Sequence, residues 1–156
     1  PPPELVVVST LSRTIQTAQT GFKDLPGWPA TFVSTELCRE RISVHECDHR
    51  RTLTDLRKDF PFVDFALVKD EDDVLWTARK ENEPSEMAAT LCYERAEDFL
   101  RWLKARPEQS IAVVAHWVFL KHMFTAHAAD PALATNFKNA ELRTAALFSG
   151  SGKVEL

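Results

Sequence analysis

The sequence has few of the residues that mark several common protein classes. Only four glycines occur among 156 residues, and neither a P-loop nor a dinucleotide-binding glycine fingerprint is present. The three cysteines are odd in number and scattered, which argues against a disulfide framework and favours a reducing compartment, so we expect a cytoplasmic protein. The longest apolar run, Ile111–Ala115, is far short of the ~20 residues of a membrane span, so no membrane partner is expected.

Charge and length narrow the classes further. The formal net charge is −4, and no basic stripe runs along the chain, which argues against nucleic acid as the main partner. A small anionic ligand is still compatible with this charge, because local arginines can oppose the global sign. The length and the 44% of hydrophobic residues suit one globular domain over residues 1–156. The start at Pro1-Pro2-Pro3, without Met, leads us to expect that this domain is incomplete at its N-terminus, and nothing indicates an oligomeric state.

Hydrophobic patterning predicts strands that alternate with helices. The predicted strands are Leu5–Val8, Thr31–Thr35, Ile111–Ala115 and a terminal hairpin of Leu142–Phe148 with Lys153–Leu156. The predicted helices are Arg13–Phe22, a short one at Thr54–Lys58, one from an N-cap at Ser85 to Arg106, and Val118–Ala128. Strands separated by helices pair in parallel through right-handed crossovers, so the predicted fold class is α/β.

Two polar residues follow buried strands of this pattern. Arg13 comes shortly after Leu5–Val8, and His116 comes directly after Ile111–Ala115. In open α/β sheets ligands bind outside the carboxyl ends of the strands, where helix N-termini also attract anions. A guanidinium suits phosphate oxygens, and a protonated imidazole can donate to them. The pair indicates an anion site, although each residue alone is also compatible with a solvated surface arginine or a hydrogen-bonded core histidine.

A metal site is the alternative that the histidines suggest. His45, Cys47 and His49 lie close together, and two histidines at i and i+4 would share a face if the segment were helical. No second pair with ligand spacing occurs elsewhere, and Arg50 and Arg51 follow directly, which disfavours a bound cation. A metal-binding hydrolase therefore stays a second alternative, and we expect neither a metal nor an organic cofactor.

Three segments resemble the signature of the histidine phosphatase superfamily. Val8–Ala18 resembles its Ser-x-Leu-x-Arg-x-x-x-Thr-Ala pattern, and Leu37–Glu40 is similar to its Leu-Arg-Glu segment. Val113–Leu120 is similar to its second-histidine motif, Val-Val-x-His-x-x-Phe-Leu. Further segments resemble the phosphoglycerate mutase-like branch of this superfamily: His45–Arg51, Phe60–Phe65 and Asn139–Arg143.

The resemblance implies a fold and a reaction. The fold is a three-layer sandwich with a mostly parallel central sheet flanked by helices, and its first strand is expected to be absent from this chain. The reaction is a two-step phosphoryl transfer through a nucleophilic histidine in an Arg-His-Gly motif after that strand. No Arg-His-Gly occurs here, so the nucleophile is expected upstream of residue 1, and the fragment alone is expected to be inactive.

The resemblance also assigns catalytic roles. Arg13 would bind the transferring phosphoryl oxygens, Glu40 would protonate the leaving oxygen, and His116 would stabilise charge in the transition state. With these roles the chain is expected to be a phosphatase that hydrolyses a small phosphomonoester, and a mutase is the less favoured reading. The other class considered is a catalytically inactive module of the same fold that binds a phospho-ligand or a partner protein.

Three further residues are expected to bind substrate. Arg51, and less directly Arg50, would hold substrate or phosphate from the long connection, and the backbone N–H of Trp117 would complete the pocket. Trp117 stands where the family often has Gly or Ser, so its side chain is expected to narrow the pocket or displace the substrate.

Overall fold

The computed structural model describes residues 2–22, 25–26, 31–42, 45–78, 85–150 and 153–155. The helices and strands in chain order are β1 (Leu5–Ser9), α1 (Ser12–Phe22), β2 (Thr31–Thr35), α2 (Leu53–Asp59), β3 (Val63–Asp64), α3 (Val74–Ala78), α4 (Ser85–Lys104), β4 (Ile111–Val114), α5 (Trp117–His127), β5 (Phe148–Gly150) and β6 (Lys153–Glu155). Short 3-10 turns lie at Glu36–Cys38, Glu46–Asp48 and Pro131–Ala134. None of the described helices has the length and apolar character needed to cross a membrane.

The main sheet has four parallel strands in the order β3-β2-β1-β4. β1 is paired on both sides: Leu5 lies opposite Thr31 of β2 and opposite Ile111 of β4. The other edge of β4 has no strand partner within the described residues. β5 and β6 form a separate antiparallel hairpin.

Side chains of β1 alternate between two hydrophobic clusters, one on each face of the sheet. Leu5 and Val7 pack in the cluster that α4 and α5 cover, with Phe99 and Phe119 among its members. Val6 and Val8 pack on the opposite face, in the cluster that α1 and α2 cover. The four apolar side chains of β1, Leu5 to Val8, are fully buried, as expected for a strand covered on both faces. The arrangement is the three-layer α/β architecture with a parallel sheet that the sequence predicted.

Most of the predicted elements occur with bounds within two residues, and β2 has the predicted bounds. β3 and α3 were not predicted, since two and five residues are too short for a periodic signal. They lie in the long charged connection after β2, so this stretch is partly regular. Pro1, the turn residues 151–152 of the predicted hairpin and Leu156 at the end of its second predicted strand lie outside the described residues.

The prediction of a strand from residue 142 is wrong for residues 142–147, which form no strand. Arg143 fixes this segment instead: its guanidinium donates to the carbonyl oxygens of Leu133, Thr135 and Asn136. The guanidinium carbon also lies 3.6 Å from the centroid of the Phe137 ring. These contacts hold the segment against the turn after α5, and β5 begins only at Phe148.

A buried ion network fastens the connection to the sheet. The guanidinium of Arg39 is fully buried and donates to both carboxylate oxygens of Asp73, one of them at 2.7 Å. It also donates to the carbonyl oxygen of Asp48 at 2.5 Å. The same Asp73 carboxylate accepts the backbone N–H groups of Arg50 at 2.7 Å and Trp76 at 3.0 Å. Asp73 therefore joins β2's exit, the connection and the start of α3.

Candidate functional site

Polar side chains gather at the edge of the sheet where β1, β2 and β4 end. Because these strands are parallel neighbours, their carboxyl ends lie side by side. Ser9 is the last residue of β1, Glu40 follows the 3-10 turn after β2, and His116 precedes α5, which begins after β4. The structure brings these three residues into one site through contacts with one another or with the start of α5.

His116 is buried at the N-cap of α5. Its Nε2 lies 2.9 Å from the hydroxyl oxygen of Ser9, which joins the ends of β4 and β1. Burial lowers the pKa of the imidazole to about 3, and the positive charges of Arg13, Arg95 and Arg39 contribute in the same direction. The histidine is therefore neutral near pH 7 when no anion is bound beside it.

Glu40 is buried next to the same helix start. Its Oε1 accepts the backbone N–H of Arg41 at 2.9 Å and that of Phe119 at 3.1 Å. Burial raises the pKa of the Glu40 carboxyl, and it outweighs the two N–H groups, which lower that pKa. The buried Glu40 carboxyl is therefore a weaker acid than an exposed glutamate.

The N–H groups at the start of α5 differ in whether a group of the described chain accepts them, and those at the very start of the helix can face an anion. Glu40 accepts the N–H of Phe119, and the carbonyl of His116 accepts the N–H of Leu120 at 2.8 Å. The first N–H groups of a helix have no partner within the helix, and they favour negative charge. The N–H of Trp117, the residue after His116, is one of them, and Trp117 as a whole is 51% exposed.

Arg13 lies in the first turn of α1 and is 42% exposed. Its guanidinium donates to the carbonyl oxygen of Cys47 and, at 3.0 Å, to a carboxylate oxygen of Asp48. Among the positive charges that lower the pKa of His116, that of Arg13 has the largest effect. The ion pair with Asp48 takes up one terminal nitrogen of the Arg13 guanidinium.

Arg50 and Arg51 do not join these residues. Arg50 is buried and gives its donors to four backbone carbonyls, those of Asp70, Glu71, Asp72 and Arg51. Its Nε lies 2.7 Å from Glu36 Oε1. Arg51 is exposed and pairs with Asp59 at 2.7 Å. Both arginines line a cavity of about 600 Å³ in the connection, whose lining includes none of Arg13, Glu40 and His116.

The segment of residues 45–49, which suggested a metal site, does not have the geometry of one. Among the described residues no three histidine, cysteine or carboxylate side chains are arranged to hold a metal ion. The segment forms a 3-10 turn rather than an α-helix, so His45 and His49 flank that turn instead of sharing a helix face. The His49 ring stacks on Trp76 with 5.0 Å between centroids.

The three thiols differ in environment. Cys38 and Cys92 are buried, and burial raises the pKa of Cys38 to about 12 and also raises that of Cys92. Cys47 is exposed, next to the Arg13–Asp48 pair.

Arg39 and Arg95 are the charged residues of the site that sequence reasoning missed. Both act on the pKa of His116, and Arg95 donates to the backbone around Glu40. Arg39 pairs with Glu36, three positions before it, but also with Asp73, which is 34 positions away. The carbonyl acceptors of Arg95 are over 50 positions away. Contacts at such separations leave no local pattern in the sequence. The buried stripe of α4 could have drawn attention to Arg95, since an arginine beside buried residues needs an acceptor.

Three curated relatives match the chain, all from Arabidopsis thaliana. One named phosphoglycerate mutase-like protein is 33% identical over an alignment that covers 90% of this chain and 62% of the relative. Phosphoglycerate mutase-like protein 1 is 37% identical over 79% of this chain and 51% of its own length. Phosphoglycerate mutase-like protein 2 is 30% identical over 90% and 56%. The chain thus spans 51–62% of the length of these relatives. No protein-family model and no solved structure matches it.

Proposed function

This chain belongs to the phosphoglycerate mutase-like proteins of the histidine phosphatase superfamily, and we propose that it forms most of the active site of a phosphomonoesterase. The substrate is a small phosphorylated molecule, and the reaction passes through a phosphohistidine. The observation that carries the proposal is the junction at the start of α5, where the buried Glu40 accepts the N–H of Phe119, three residues after the buried His116, and where the positive charge of Arg13 acts on both groups.

In the first step Arg13 and the N–H of Trp117 bind the phosphoryl oxygens of the substrate, which displaces Asp48 from Arg13. A histidine nitrogen forms a bond to phosphorus while the bond from phosphorus to the leaving oxygen breaks. Glu40 gives its proton to that oxygen, so an alcohol leaves. The bound dianion raises the pKa of His116, because a negative charge favours the imidazolium, and His116 then donates to a phosphoryl oxygen.

In the second step water attacks the phosphohistidine. The Glu40 carboxylate, left by the first step, accepts a proton from the water as its oxygen bonds to phosphorus. The bond from phosphorus to the histidine nitrogen breaks, which releases inorganic phosphate and restores the nucleophile. No metal takes part in this scheme, since guanidinium and imidazole groups balance the phosphate charge.

We propose that the nucleophilic histidine comes from outside these 156 residues. None of the five histidines stands between an arginine and a glycine, and His116 already holds Ser9. The free edge of β4 supports this source: Ile111–Val114 are apolar but only partly buried, and no described strand pairs with that edge. A further parallel strand there would end beside His116.

The test is hydrolysis of p-nitrophenyl phosphate, in EDTA, by this chain and by a form extended upstream. We expect activity in the extended form only. There, Arg13→Ala, Glu40→Gln and His116→Ala should each reduce turnover by ~10²-fold or more. The control is Arg101→Ala, since Arg101 is an exposed arginine of α4 that pairs with Glu97 and Asp98 on the same helix. Activity of His116→Ala close to that of the unmodified protein would contradict the proposal.

The second candidate is a module that binds a phospho-ligand or a partner protein without catalysis. The lack of an Arg-His-Gly motif favours it, as does the pairing of Arg13 with Asp48. An extended form that binds inorganic phosphate but hydrolyses nothing would select the module. A mutase, as the names of the relatives suggest, would instead pass the phosphoryl group to an added alcohol with little release of phosphate.

A further inference from the structure

Helix α4 places one arginine against the site from the opposite side to Arg13. Its buried residues Cys92, Ala96, Phe99 and Leu100 follow helical spacing and form one wall of the core. Arg95 lies beside this stripe, and its Nε is buried without an acceptor among the described residues. A cation in this position costs solvation free energy, so its remaining contacts indicate what it does.

The contacts of Arg95 converge on Glu40. One terminal nitrogen donates to the carbonyl oxygen of Arg39 at 2.7 Å and to that of Glu40 at 2.9 Å. Within the described part of the chain its acceptors are these carbonyls and the Cys92 sulfur, at 3.8 Å, rather than a carboxylate. The guanidinium therefore holds the backbone that carries Glu40 instead of neutralising a side chain.

The same guanidinium reaches the helix to which Glu40 binds. Its carbon lies 5.7 Å from the centroid of the Phe119 ring, within the range of a cation–π contact. The N–H of Phe119 in turn donates to Glu40 Oε1. Arg95, the Glu40 backbone, the Glu40 carboxyl and Phe119 thus form a closed ring of contacts, in which Arg95 contacts both residues that make the Glu40–Phe119 hydrogen bond.

We propose that Arg95 is a positioning residue: by binding the carbonyl oxygens of Arg39 and Glu40 and the ring of Phe119, it fixes the Glu40 carboxyl at the start of α5. The inference rests on the proposed function, in which Glu40 is the proton donor. Arg95 does not touch the substrate; it acts through Glu40. The proton donor must be held in place because even a small displacement of a catalytic group strongly lowers the reaction rate.

The first test observes Glu40 without any assay of activity. Arg95→Gln keeps a donor but removes the charge and the second contact, whereas Arg95→Lys keeps the charge. In Arg95→Gln we expect the Phe119 amide to exchange its hydrogen at least ~10-fold faster, as the Glu40–Phe119 bond loosens. The exchange rate of this amide in Arg95→Lys should lie between the rates in Arg95→Gln and in the unmodified protein. If Arg95→Gln does not fold, the rate in Arg95→Lys is the test. Arg101→Gln, exposed on the same helix, is the control.

The second readout is the titration of the Glu40 carboxyl by ¹³C NMR. Loss of the Arg95 cation should raise the pKa of Glu40, since the two groups interact electrostatically, and that of His116 as well. Arg13 and Asp48 also act on the Glu40 carboxyl and are unchanged in these variants. An unaltered Phe119 amide and unaltered Glu40 titration in both Arg95 variants would overturn the proposal.

The third readout is kinetic and uses the extended form. Arg95→Gln should lower kcat by about tenfold or more with little change in KM, and Arg95→Lys should recover part of the loss. Inactivity of every protein, the unmodified one included, would defeat the proposed function, while the NMR readouts would still decide the role of Arg95. An equal kcat in Arg95→Gln and the unmodified protein would count against the positioning role.

Discussion

Burial shifts the pKa values of Glu40 and His116, the two ionisable groups at the start of α5, in opposite directions, and in both cases it disfavours the charged form. It raises the pKa of Glu40 and lowers that of His116, so both favour their neutral forms. Arginines surround them, and three of these act on His116. The buried carboxylates of Asp48 and Asp73 pair with two of these arginines, Arg13 and Arg39, whereas the described acceptors of Arg95 are backbone carbonyls and the Cys92 sulfur.

Glu40→Gln should stabilise the fold at pH 8. Because the folded-state pKa of Glu40 is raised above its unfolded value, the stability that its neutral form contributes is present below the unfolded pKa and is lost as pH rises through the folded pKa. Glutamine cannot ionise, so it avoids the free-energy cost of burying a charged carboxylate, and it keeps an oxygen for the N–H groups of Arg41 and Phe119. The melting temperature should rise by about 2–4 °C for each kcal/mol of this cost at pH 8, and should not rise at pH 4.

Glu94→Gln, an exposed change on α4, is the control for this measurement. A Glu40→Gln protein that melts below the unmodified protein at pH 8 would mean that the ionised carboxyl stabilises the fold.

Residues that follow a buried strand could be identified from the sequence alone. Arg13 and His116 each come just after a run of apolar residues, and the structure places both at the carboxyl edge of the sheet. The surroundings that set their charge could not be predicted, because Asp48 reaches Arg13 from 35 positions away. Arg50 shows the same limit: nothing in the sequence indicates that its donors go to backbone carbonyls.

At the scale of elements, the connection between β2 and α4 depends on one carboxylate. Asp73 binds Arg39 and two backbone N–H groups, and it lies at the start of α3. Burial by itself would raise the pKa of Asp73, but these hydrogen bonds outweigh it and lower the pKa. The connection carries Asp48 to Arg13, so the network also sets the position of a site residue.

Asp73→Asn should lower the free energy of unfolding by roughly 3–5 kcal/mol, because it removes the carboxylate that binds both terminal nitrogens of the buried Arg39 guanidinium and leaves the partly exposed pair with Glu36. Asp59→Asn is the matched control: it breaks the exposed pair with Arg51 and should cost less than about 1 kcal/mol. Urea unfolding at pH 7 measures both changes. The difference between Asp73→Asn and the unmodified protein should narrow as pH falls below about 4, since the stability from a lowered pKa is lost there. Equal costs for the two variants would contradict the role of the network.

The longer elements follow from local patterns, and the shorter ones do not. β1 and β4 are apolar runs, β2 has Phe32 and Val33 between hydroxyl residues, and α1, α4 and α5 have apolar faces, and each was predicted within two residues. β3 exists only because β2 offers Phe32 and Val33 as pairing partners. The stretch at 142–147 reads as a strand by composition, yet Arg143 binds it to a neighbouring turn. Such tertiary contacts override local preference.

At the scale of the whole molecule, the sheet is asymmetric. β1 is fully buried and paired on both sides, whereas β4 has the same apolar composition but is only partly buried, with one edge open in the described chain. Apolar parallel strands are usually covered on both faces and both edges. The asymmetry agrees with a site that further chain completes on the β4 side.

Hydrogen exchange measured by NMR should reproduce this asymmetry. The amides of β1 should be the slowest in the molecule, and the outward-facing amides of β4 should exchange at least ~10²-fold faster. In the upstream-extended form the β4 amides should become as slow as those of β1. Uniform protection of β4 in the 156-residue chain would show instead that its edge is already covered, and a dependence on protein concentration would identify a second copy as the cover.

The unequal exposure of the three thiols has a practical consequence. A thiol reagent reaches only Cys47 in the folded chain, because Cys38 and Cys92 are buried and hold their protons firmly. A dye on Cys47 would stand next to the guanidinium of Arg13. In the proposed function phosphate binds Arg13, so its arrival should change the fluorescence of the dye, and this binding can be tested without turnover and without an engineered cysteine.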